Sequence, residues 1–509
     1  MRLMIAGGGG FRVPLVYRAL RSGPFAGLVR ELVLYDVDPG RLAAISAVLA
    51  SLPAQEAPAG ASPGSDLRGN PRSTPRTVPT VRATTSLPEA LDGTDMVFAA
   101  IRPGGTAGRT ADERIALDLG LLGQETTGAG GISYALRSIP KMLELAREMR
   151  DRCPEAWLLN FTNPAGMVTE ALVPVLGRKV VGICDSASGL VHRAARAANV
   201  VLPEGRLDGV GYYGLNHLGW LYRLESGGRD LLPGLLADAG ALNSFEEGRL
   251  FRQPFLAQLG CLPNEYLHYY YEAGRALAGI RSANETRGES IDRQQAELYP
   301  RLAAAGAGAY PLWDAGRRSR EEGYLAEARP AGERREESDL AGGGYERVAL
   351  SVMRALSGAG GAELILNTPN ALPGAGPADV AIPGLPRDAV VEVPCRVTPD
   401  GVMPLPQQRP APAQLDLMQR VKDVERLVVL AAGQGKDAGT QVGSGRREAA
   451  LAAFARHPLI DSDVLAGKLL AGYEAAFPEL DRLWRSGTSA PPTACGTSGA
   501  GPRSQAAGG

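Results

Sequence analysis

The sequence predicts an α/β protein built on a doubly wound parallel sheet, followed by a second, α+β domain. Three observations lead to this prediction. Short apolar runs alternate with helical stretches through the first 185 residues, four glycines follow the first run, and an aspartate ends the second run. Continuous apolar runs separated by helices are typical of strands that are buried on both faces.

Five apolar runs are the predicted strands, at 2–6, 30–36, 94–101, 156–162 and 179–184. Helices are predicted over 13–21 and 413–432. Such sheets bind ligands at the carboxyl ends of their strands. The first candidate site residues therefore follow or end these runs, and they are Gly7, Gly8, Gly9, Gly10, Asp36, Arg102, Asn163 and Cys184.

Three segments lack apolar periodicity and are rich in small residues and proline, at 53–80, 433–446 and 486–509. They cannot bury enough surface to offset chain entropy, and we expect them to be disordered or flexible. Between them we predict two domains, 1–185 and 186–485. The charged stretch 317–338 mixes both signs, which indicates a solvated helix or loop face.

Composition narrows the choice of partner. With 54 basic and 55 acidic residues the formal charge is -1, so no broad basic field favours nucleic acid. The apolar run at the N-terminus is too short for a signal peptide or a membrane helix. Five scattered cysteines suit a reducing compartment. We expect a cytoplasmic protein that binds small molecules, with no membrane partner.

The glycine loop at Gly7–Gly10 indicates a Rossmann-like nucleotide site, because its backbone can approach a pyrophosphate at a helix N-terminus. The third glycine of the usual fingerprint is missing, since Arg12 or Val13 stands there. Asp36 can accept the ribose hydroxyls and would repel a 2′-phosphate, which favours NAD over NADP. The structural alternatives are a plain tight turn and a capping aspartate.

Further candidates carry acid–base or metal chemistry. Arg109 can clamp an anion, and Glu125 lies in a polar, glycine-rich stretch, although both also suit a surface ion pair and a helix cap. Cys184 and His217 can hold a divalent metal if the substrate supplies oxygen ligands, although each alone is more often a core residue. A cluster of four tyrosines at 262–271 more often packs than reacts.

Taken in order, GGGG, IRPGG, GQETTGAGG, NFTNPAG, GICD, GLNHLGW and NEYLHYYY resemble glycoside hydrolase family 4. LILNTPN (364–370) and AIPGLPRDAVVEVPC (381–395) extend the resemblance over nearly the whole chain outside the low-complexity segments. It implies a lactate/malate dehydrogenase-like Rossmann domain, a second domain for substrate and metal, and NAD with Mn²⁺ or another divalent metal as cofactors. Within the family the motifs most resemble the 6-phospho-β-glucosidases.

The resemblance also implies roles for individual residues. Cys184 and His217 match the metal ligands; Arg109, Asn163 and Arg287 match phosphosugar contacts. Tyr266, the first tyrosine of its motif, matches the base, with Tyr269, Tyr270 and Tyr271 as alternatives. Glu125 matches the acidic residue that raises the basicity of the tyrosine. The nucleotide site comprises Gly7, Gly8, Gly9, Gly10, Phe11, Asp36 and Arg102.

The family reaction differs from the two-carboxylate scheme of most glycosidases. It implies oxidation at C3 of the sugar, removal of the C2 proton by Tyr266, elimination of the aglycone, addition of water and re-reduction at C3. The substrate is expected to be a phosphodisaccharide or glycoside, and the protein a homodimer or homotetramer.

Several alternatives stay open. Asp185 departs from the β pattern, since the resemblance places Asp there in α-specific members, as the acid that protonates the leaving oxygen. Unphosphorylated galactosides or glucuronides are further possible substrates within the family. Outside it, a 2-hydroxy acid dehydrogenase shares the nucleotide domain, but the four histidines lack the usual loop motif. A non-catalytic NAD sensor would not need Tyr266, Cys184, His217 and Arg109 together.

Overall fold

The computed structural model describes residues 1–53, 78–325, 329, 344–376, 378–433 and 444–485. The three segments predicted to be disordered lie mostly outside the described residues. The part of the charged stretch that follows residue 325 also lies outside them, except for residue 329. The predictions for two of the segments are wrong at their C-terminal ends. Thr80 begins a strand and Ser444 begins a helix.

The described residues form thirteen strands of one mixed sheet. In chain order they are β1 Arg2–Ala6, β2 Glu31–Tyr35, β3 Thr80–Thr84, β4 Met96–Ala99, β5 Trp157–Asn160, β6 Val180–Gly182, β7 Val210–Leu215, β8 Leu218–Ser226, β9 Arg229–Asp230, β10 Leu262–Pro263, β11 Ala362–Pro369, β12 Val390–Thr398 and β13 Gly401–Pro404.

The helices of the same residues are α1 Val13–Arg21, α2 Pro39–Ala50, α3 Leu87–Leu91, α4 Gly105–Asp118, α5 Gly128–Arg152, α6 Ala165–Leu176, α7 Ser186–Ala197, α8 Leu232–Ala237, α9 Ala239–Asn243, α10 Glu246–Leu250, α11 Gln253–Leu259, α12 His268–Tyr271, α13 Ala273–Ser282, α14 Arg287–Ala304, α15 Ala309–Glu322, α16 Tyr345–Leu356, α17 Pro412–Ala431, α18 Ser444–Arg456, α19 Asp463–Ala476 and α20 Pro478–Arg485. None of them is long and apolar enough to cross a membrane.

The predicted doubly wound sheet is confirmed. The first six strands are parallel and lie in the order β3-β2-β1-β4-β5-β6, the arrangement of dinucleotide-binding folds. All five predicted strands are among them, and only β3 was not predicted. The strand order reverses between β1 and β4, so a crevice opens there at the carboxyl ends of the strands.

Side chains of β1 alternate between two apolar clusters, one on each face of the sheet. Leu3 and Ile5 belong to one cluster, and Met4 and Ala6 belong to the other. Because successive strand residues point to opposite faces, a strand buried on both sides must be apolar throughout. This is why the predicted strands could be read as continuous apolar runs.

The second half of the chain extends the same sheet. β11 pairs antiparallel with β6 through Asn367 and Gly182, and β12 connects β11 to β7 and β8. α14 and α15 return to pack against α2, and α14 also packs against α4. The predicted boundary at 185 therefore falls between strands of one continuous sheet, and residues from both halves surround the crevice.

Candidate functional site

The loop after β1 packs closely against neighbouring strands. The N–H groups of Gly7 and Gly8 both donate to the carbonyl of Tyr35, at 2.9 and 2.7 Å. A Cβ on Gly8 would lie 2.7 Å from Leu34, and one on Gly7, whose φ is 89°, would lie 2.6 Å from the carbonyl oxygen of Ala100. The loop thus requires glycine, and α1 begins just beyond it with Pro14 in its first turn and no side chain capping its N-terminus.

Asp36 lies immediately after β2 and fixes this loop. One carboxylate oxygen accepts the N–H of Gly9 at 3.0 Å, and the other accepts the N–H of Asp38 at 3.1 Å. Of the alternatives that the sequence left open for Asp36, the turn is present, whereas the cap of α2 is Asp38. The Asp36 carboxylate also lines the crevice, so its turn contacts and ligand binding are compatible.

A large cavity of about 1040 Å³ occupies the crevice at the carboxyl ends of the strands. This exceeds the roughly 300–1,000 Å³ that is usual for ligand pockets. Of the residues predicted for the nucleotide site, it is lined by Gly7, Gly10, Phe11, Asp36 and Arg102, and of those predicted to contact the substrate, by Arg109 and Asn163.

Arg109 lies on α4, inside the protein, and not in a surface loop. Its guanidinium contacts the carboxylates of Glu113 and Glu125, both at 2.7 Å, with 6% of the side chain exposed. Arg102 approaches Glu125 at 2.6 Å. The pKa of Glu125 is lowered to about 2, because these two guanidinium groups outweigh the effect of burial.

Cys184 and His217 meet in the protein interior. The thiol follows β6, and the imidazole occupies the turn between β7 and β8, where its φ of 64° is unusual for a residue other than glycine. The Sγ atom lies 3.4 Å from Nε2 of His217. Two donors bonded to one ion at about 2.1–2.3 Å lie about 3–3.6 Å apart, so this spacing fits a shared metal.

Thr126 orients the imidazole from the opposite side. Its hydroxyl lies 3.1 Å from Nδ1 of His217, which leaves Nε2 to face Cys184. Burial lowers the pKa of His217 to about 4 and raises the pKa of the Cys184 thiol well above its ordinary value. Within the described residues no third His, Cys, Asp or Glu completes a metal-binding group.

The four tyrosines of the 262–271 segment have different surroundings. The ring of Tyr266 stacks on His217 with centroids 3.8 Å apart and planes 7° apart. Tyr269 is buried in a small apolar cluster. Tyr270 faces His457, and the hydroxyl of Tyr271 accepts the indole N–H of Trp220 at 3.0 Å. Tyr266 is therefore the tyrosine in direct contact with the His217 ring.

A smaller cavity of about 280 Å³ lies beside Tyr266. Arg287, the first residue of α14, lines it; a capping box between Thr286 and Glu289 fixes the start of that helix. The guanidinium of Arg287 donates to the carbonyl of Arg320 at 3.2 Å. Both cavities are lined by Arg109 and Arg320, so these two residues lie at the boundary between them.

Two further residues, Asp185 and Glu125, were predicted for the site. Asp185 is the N-cap residue of α7, and its carboxylate lies 3.9 Å from the guanidinium of Arg12, with 35% of the side chain exposed. Glu125 binds arginines, as described above, and its contact with Tyr266 is limited to a charge interaction that raises the pKa of the phenol.

Sequence reasoning missed three residues of this region. Thr126 belongs to the GQETTGAGG motif and follows Glu125, so the motif itself was the available signal. Tyr324 contacts Glu265 at 3.3 Å and lines the smaller cavity. Arg320 belongs to the charged stretch that we predicted to be a solvated face, and for this residue the prediction is wrong.

Comparison with known proteins agrees with the resemblance. A model described as family 4 glycosyl hydrolase matches residues 75–200, and one described as the C-terminal domain of family 4 glycosyl hydrolases matches 212–460. A probable 6-phospho-beta-glucosidase of Bacillus subtilis is 29% identical over 400 residues, which are 75% of this chain and 78% of that protein.

Two further relatives differ in the anomer that their names specify. The 6-phospho-alpha-glucosidase 1 of Lacticaseibacillus paracasei is 32% identical over 287 residues, covering 53% of this chain and 59% of that protein. The structure of the 6-phospho-beta glucosidase from Thermotoga maritima with manganese, NAD⁺ and glucose-6-phosphate has a TM-score of 0.70 at 25% identity. The match covers 94% of this chain and 99% of that one.

Proposed function

Because the chain belongs to glycosyl hydrolase family 4, we propose that it hydrolyses 6-phospho-β-glucosides with the help of NAD⁺ and a divalent metal such as Mn²⁺. One observation carries the proposal. Cys184, His217 and Tyr266 form a contiguous cluster, with 3.4 Å between the first two and 3.8 Å between the rings of the last two.

The residues of the crevice fit a dinucleotide. The glycine loop approaches its neighbours so closely that side chains are excluded, and its four glycine N–H groups are bonded within the protein. The uncapped N-terminus of α1 beside the loop would therefore be the feature that attracts a pyrophosphate. Asp36 offers carboxylate oxygens to ribose hydroxyls. We assign the dinucleotide to this loop, with Arg102 and Asn163 farther along the cavity.

The residues of the interior cluster fit a divalent metal. A thiolate and an imidazole supply two donors, and Thr126 holds the ring so that Nε2 faces the thiol. Since the described residues supply only these two ligands, oxygen atoms of the substrate would complete the coordination.

When bound, NAD⁺ would accept and later return the hydrogen at C3 of the sugar as hydride, while the metal would act as a Lewis acid toward the oxygens at C2 and C3. Tyr266 would remove the C2 proton with its phenol oxygen. Burial and the charge of Glu265 raise the pKa of Tyr266. A cation held by Cys184 and His217 would lower that pKa.

Other side chains would position the sugar. Asp185 would hold the proton that the leaving oxygen takes up, and its partial exposure leaves it accessible to a substrate. Arg109, Asn163 and Arg287 would contact the sugar from the two cavities. Glu125 would act through Arg102 and Arg109, which its carboxylate holds in place.

The β anomer is the first candidate, because the NEYLHYYY and EVPC segments resemble the β-specific members. The probable 6-phospho-beta-glucosidase also matches more of this chain than the α-glucosidase does, 75% against 53%. The α anomer is the second candidate, and Asp185 is the residue that favours it.

A panel of p-nitrophenyl glycosides tests this function. The α- and β-glucosides and galactosides are assayed with and without a 6-phosphate, together with a glucuronide, in reducing buffer. We expect nitrophenol release from the β-glucoside 6-phosphate, and only when NAD⁺ and Mn²⁺ are both present. Full activity after removal of both cofactors would refute the proposal.

A further inference from the structure

Five arginines lie close together around the boundary between the two cavities. They are Arg12, Arg102, Arg109, Arg287 and Arg320. Arg12, Arg102 and Arg109 line the large cavity, Arg109 and Arg287 line the small one, and Arg320 borders both. So many guanidinium groups in one region require negative charge nearby.

Arg109, Arg102 and Arg12 have carboxylate partners. Arg109 contacts Glu113 and Glu125, and Arg102 contacts Glu125. Arg12 lies 3.9 Å from Asp185. None of the carboxylates in these pairs forms an ion pair with Arg320.

Arg320 differs from the other arginines of its helix. On α15, Arg317 pairs with Asp314 and Glu321, and Arg318 pairs with Asp314 at the surface. Within the described residues Arg320 forms no ion pair, and its buried Nε atom has no hydrogen-bond partner. Its guanidinium lies 5.4 Å from the ring of Phe11.

This position is electrostatically unfavourable for the guanidinium of Arg320, although the charge of Glu125 offsets part of the repulsion. Burial and the neighbouring charges of Arg12, Arg287, Arg109 and Arg102 lower the pKa of Arg320 well below its ordinary value. Arginine nonetheless stays protonated in proteins, so the positive charge remains. An anionic ligand would supply the missing partner, and a phosphate matches the planar donors of arginine.

We propose that Arg320 binds the phosphate monoester of the substrate sugar and thereby selects phosphorylated glycosides. This inference rests on the proposed function. The small cavity suits the group: Ser290, Gln294 and Ser319 line it beside Arg287 and Arg320, and Tyr266 borders it. Arg109 is the weaker phosphate ligand of the cluster, since two carboxylates already neutralise it.

The substrate sugar and the dinucleotide both carry phosphate groups that Arg320 could bind. Binding measurements on the full chain distinguish between these two ligands. Arg320→Met is compared with Arg318→Met, a matched control on the same helix. Glucose 6-phosphate and NAD⁺ are titrated calorimetrically. We expect Arg320→Met to weaken glucose 6-phosphate binding by about 10- to 100-fold and to leave NAD⁺ binding and the control unchanged.

Other outcomes would overturn the proposal. Weaker NAD⁺ binding with unchanged glucose 6-phosphate binding would assign Arg320 to the dinucleotide. Unchanged affinity for both ligands, or failure of the wild-type protein to bind glucose 6-phosphate, would also refute it. Binding of glucose 6-phosphate without glycoside hydrolysis would refute the proposed function and leave this inference standing.

Thermal unfolding separates ligand binding from a structural role. Removal of an unpaired charge should raise the Tm of the ligand-free protein, and the gain in Tm on adding glucose 6-phosphate should shrink. A lower ligand-free Tm with an undiminished gain would show that Arg320 only supports the fold. Arg320→Lys, which keeps the charge, should retain part of the gain and provides a second variant if Arg320→Met fails to fold.

Discussion

Two side chains that lie 33 positions apart in the chain become neighbours because β6 and the β7–β8 turn both end near the crevice. The unusual backbone conformation of His217 costs of order 1 kcal/mol or more. Such a cost is tolerated where a side chain must be aimed at a ligand. The contact with Cys184 and the hydrogen bond with Thr126 hold the imidazole in this conformation.

We expect Cys184→Ser to weaken Mn²⁺ binding at least tenfold, since a hydroxyl is a poorer donor than a thiolate. Calorimetric titration of Mn²⁺ into the protein measures the effect. Cys153→Ser is the control, because this buried cysteine caps the C-terminus of α5 and lines neither cavity. Unchanged Mn²⁺ affinity in Cys184→Ser would show that the thiol only packs.

Tyr266→Phe should reduce turnover by at least about 10²-fold, the usual contribution of a general base. Nitrophenol release from the β-glucoside 6-phosphate is the measurement. Tyr271→Phe is the control, since its hydroxyl accepts the indole N–H of Trp220 in the core. If Tyr266→Phe kept wild-type turnover, the base would have to be another residue.

The sequence allowed candidate site residues to be named, but it did not predict which side chains surround them. Cys184, His217 and Tyr266 were predictable as a set because their motifs resemble those of a family. Glu125 was predicted to act on the tyrosine, but its ion pair with Arg109 depends on α4, which the sequence did not define. Arg320 belongs to a stretch of alternating positive and negative residues, and that alternation does not indicate which side chain lines a cavity.

α17 is attached to the sheet by a buried charge network. Lys422 donates to Glu170 on α6 and to the carbonyl of Val390 on β12, both at 2.8 Å, and also contacts Glu425. The lysine side chain is 1% exposed. Both carboxylates would lose their principal buried partner without it.

We therefore expect Lys422→Met to lower the free energy of unfolding by about 3–5 kcal/mol, the usual cost of leaving a buried charge without its partner. Denaturant unfolding measures the change. Lys468→Met, at an exposed position on α19, should change stability by less than about 0.5 kcal/mol. Equal stability of both variants would show that the network does not hold α17.

Burial of His457, the residue after α18, is expected to make the stability of the fold depend on pH. It is 4% exposed, its Nδ1 accepts the N–H of Leu459, and Tyr270 faces Nε2. Burial lowers the pKa of His457 from 6.5 to about 3. Between pH 6.5 and pH 3 the histidine is therefore protonated in the unfolded chain but not in the folded protein. The free energy of unfolding falls as the pH is lowered through this range.

His457→Gln keeps an acceptor for Leu459 but does not titrate. Between pH 6.5 and 5 the wild-type protein should lose about 2 kcal/mol more stability than this variant, at about 1.4 kcal/mol per pH unit. Denaturant unfolding at both pH values measures the difference. Identical acid sensitivity of the two proteins would contradict the assignment.

Among the elements, the predicted strands of the nucleotide half were found because burial on both faces makes them apolar throughout. β3 was missed because it lies at the edge of the sheet, where its residues are exposed or half-buried, and next to a low-complexity segment. Its register is set by pairing with β2, which is a tertiary contact.

For the whole molecule, the continuous sheet explains how one site uses both halves of the chain. The crevice lies at the switch between β1 and β4, while β7 and β8, carried on the far side of β6, deliver His217. α14 and α15 bring Arg287 and Arg320 to the same region. The sequence predicted two domains in succession, but it contained no signal that their strands share one sheet.

The proposed reaction depends on removal of the C2 proton of the sugar by a base in the Tyr266 position. Hydrolysis of the β-glucoside 6-phosphate in D₂O, in the presence of NAD⁺ and Mn²⁺, tests this most directly. If Tyr266 removes this proton, NMR will detect deuterium at C2 of the glucose 6-phosphate product. Product formed at the full rate with only hydrogen at C2 would contradict the proposed reaction.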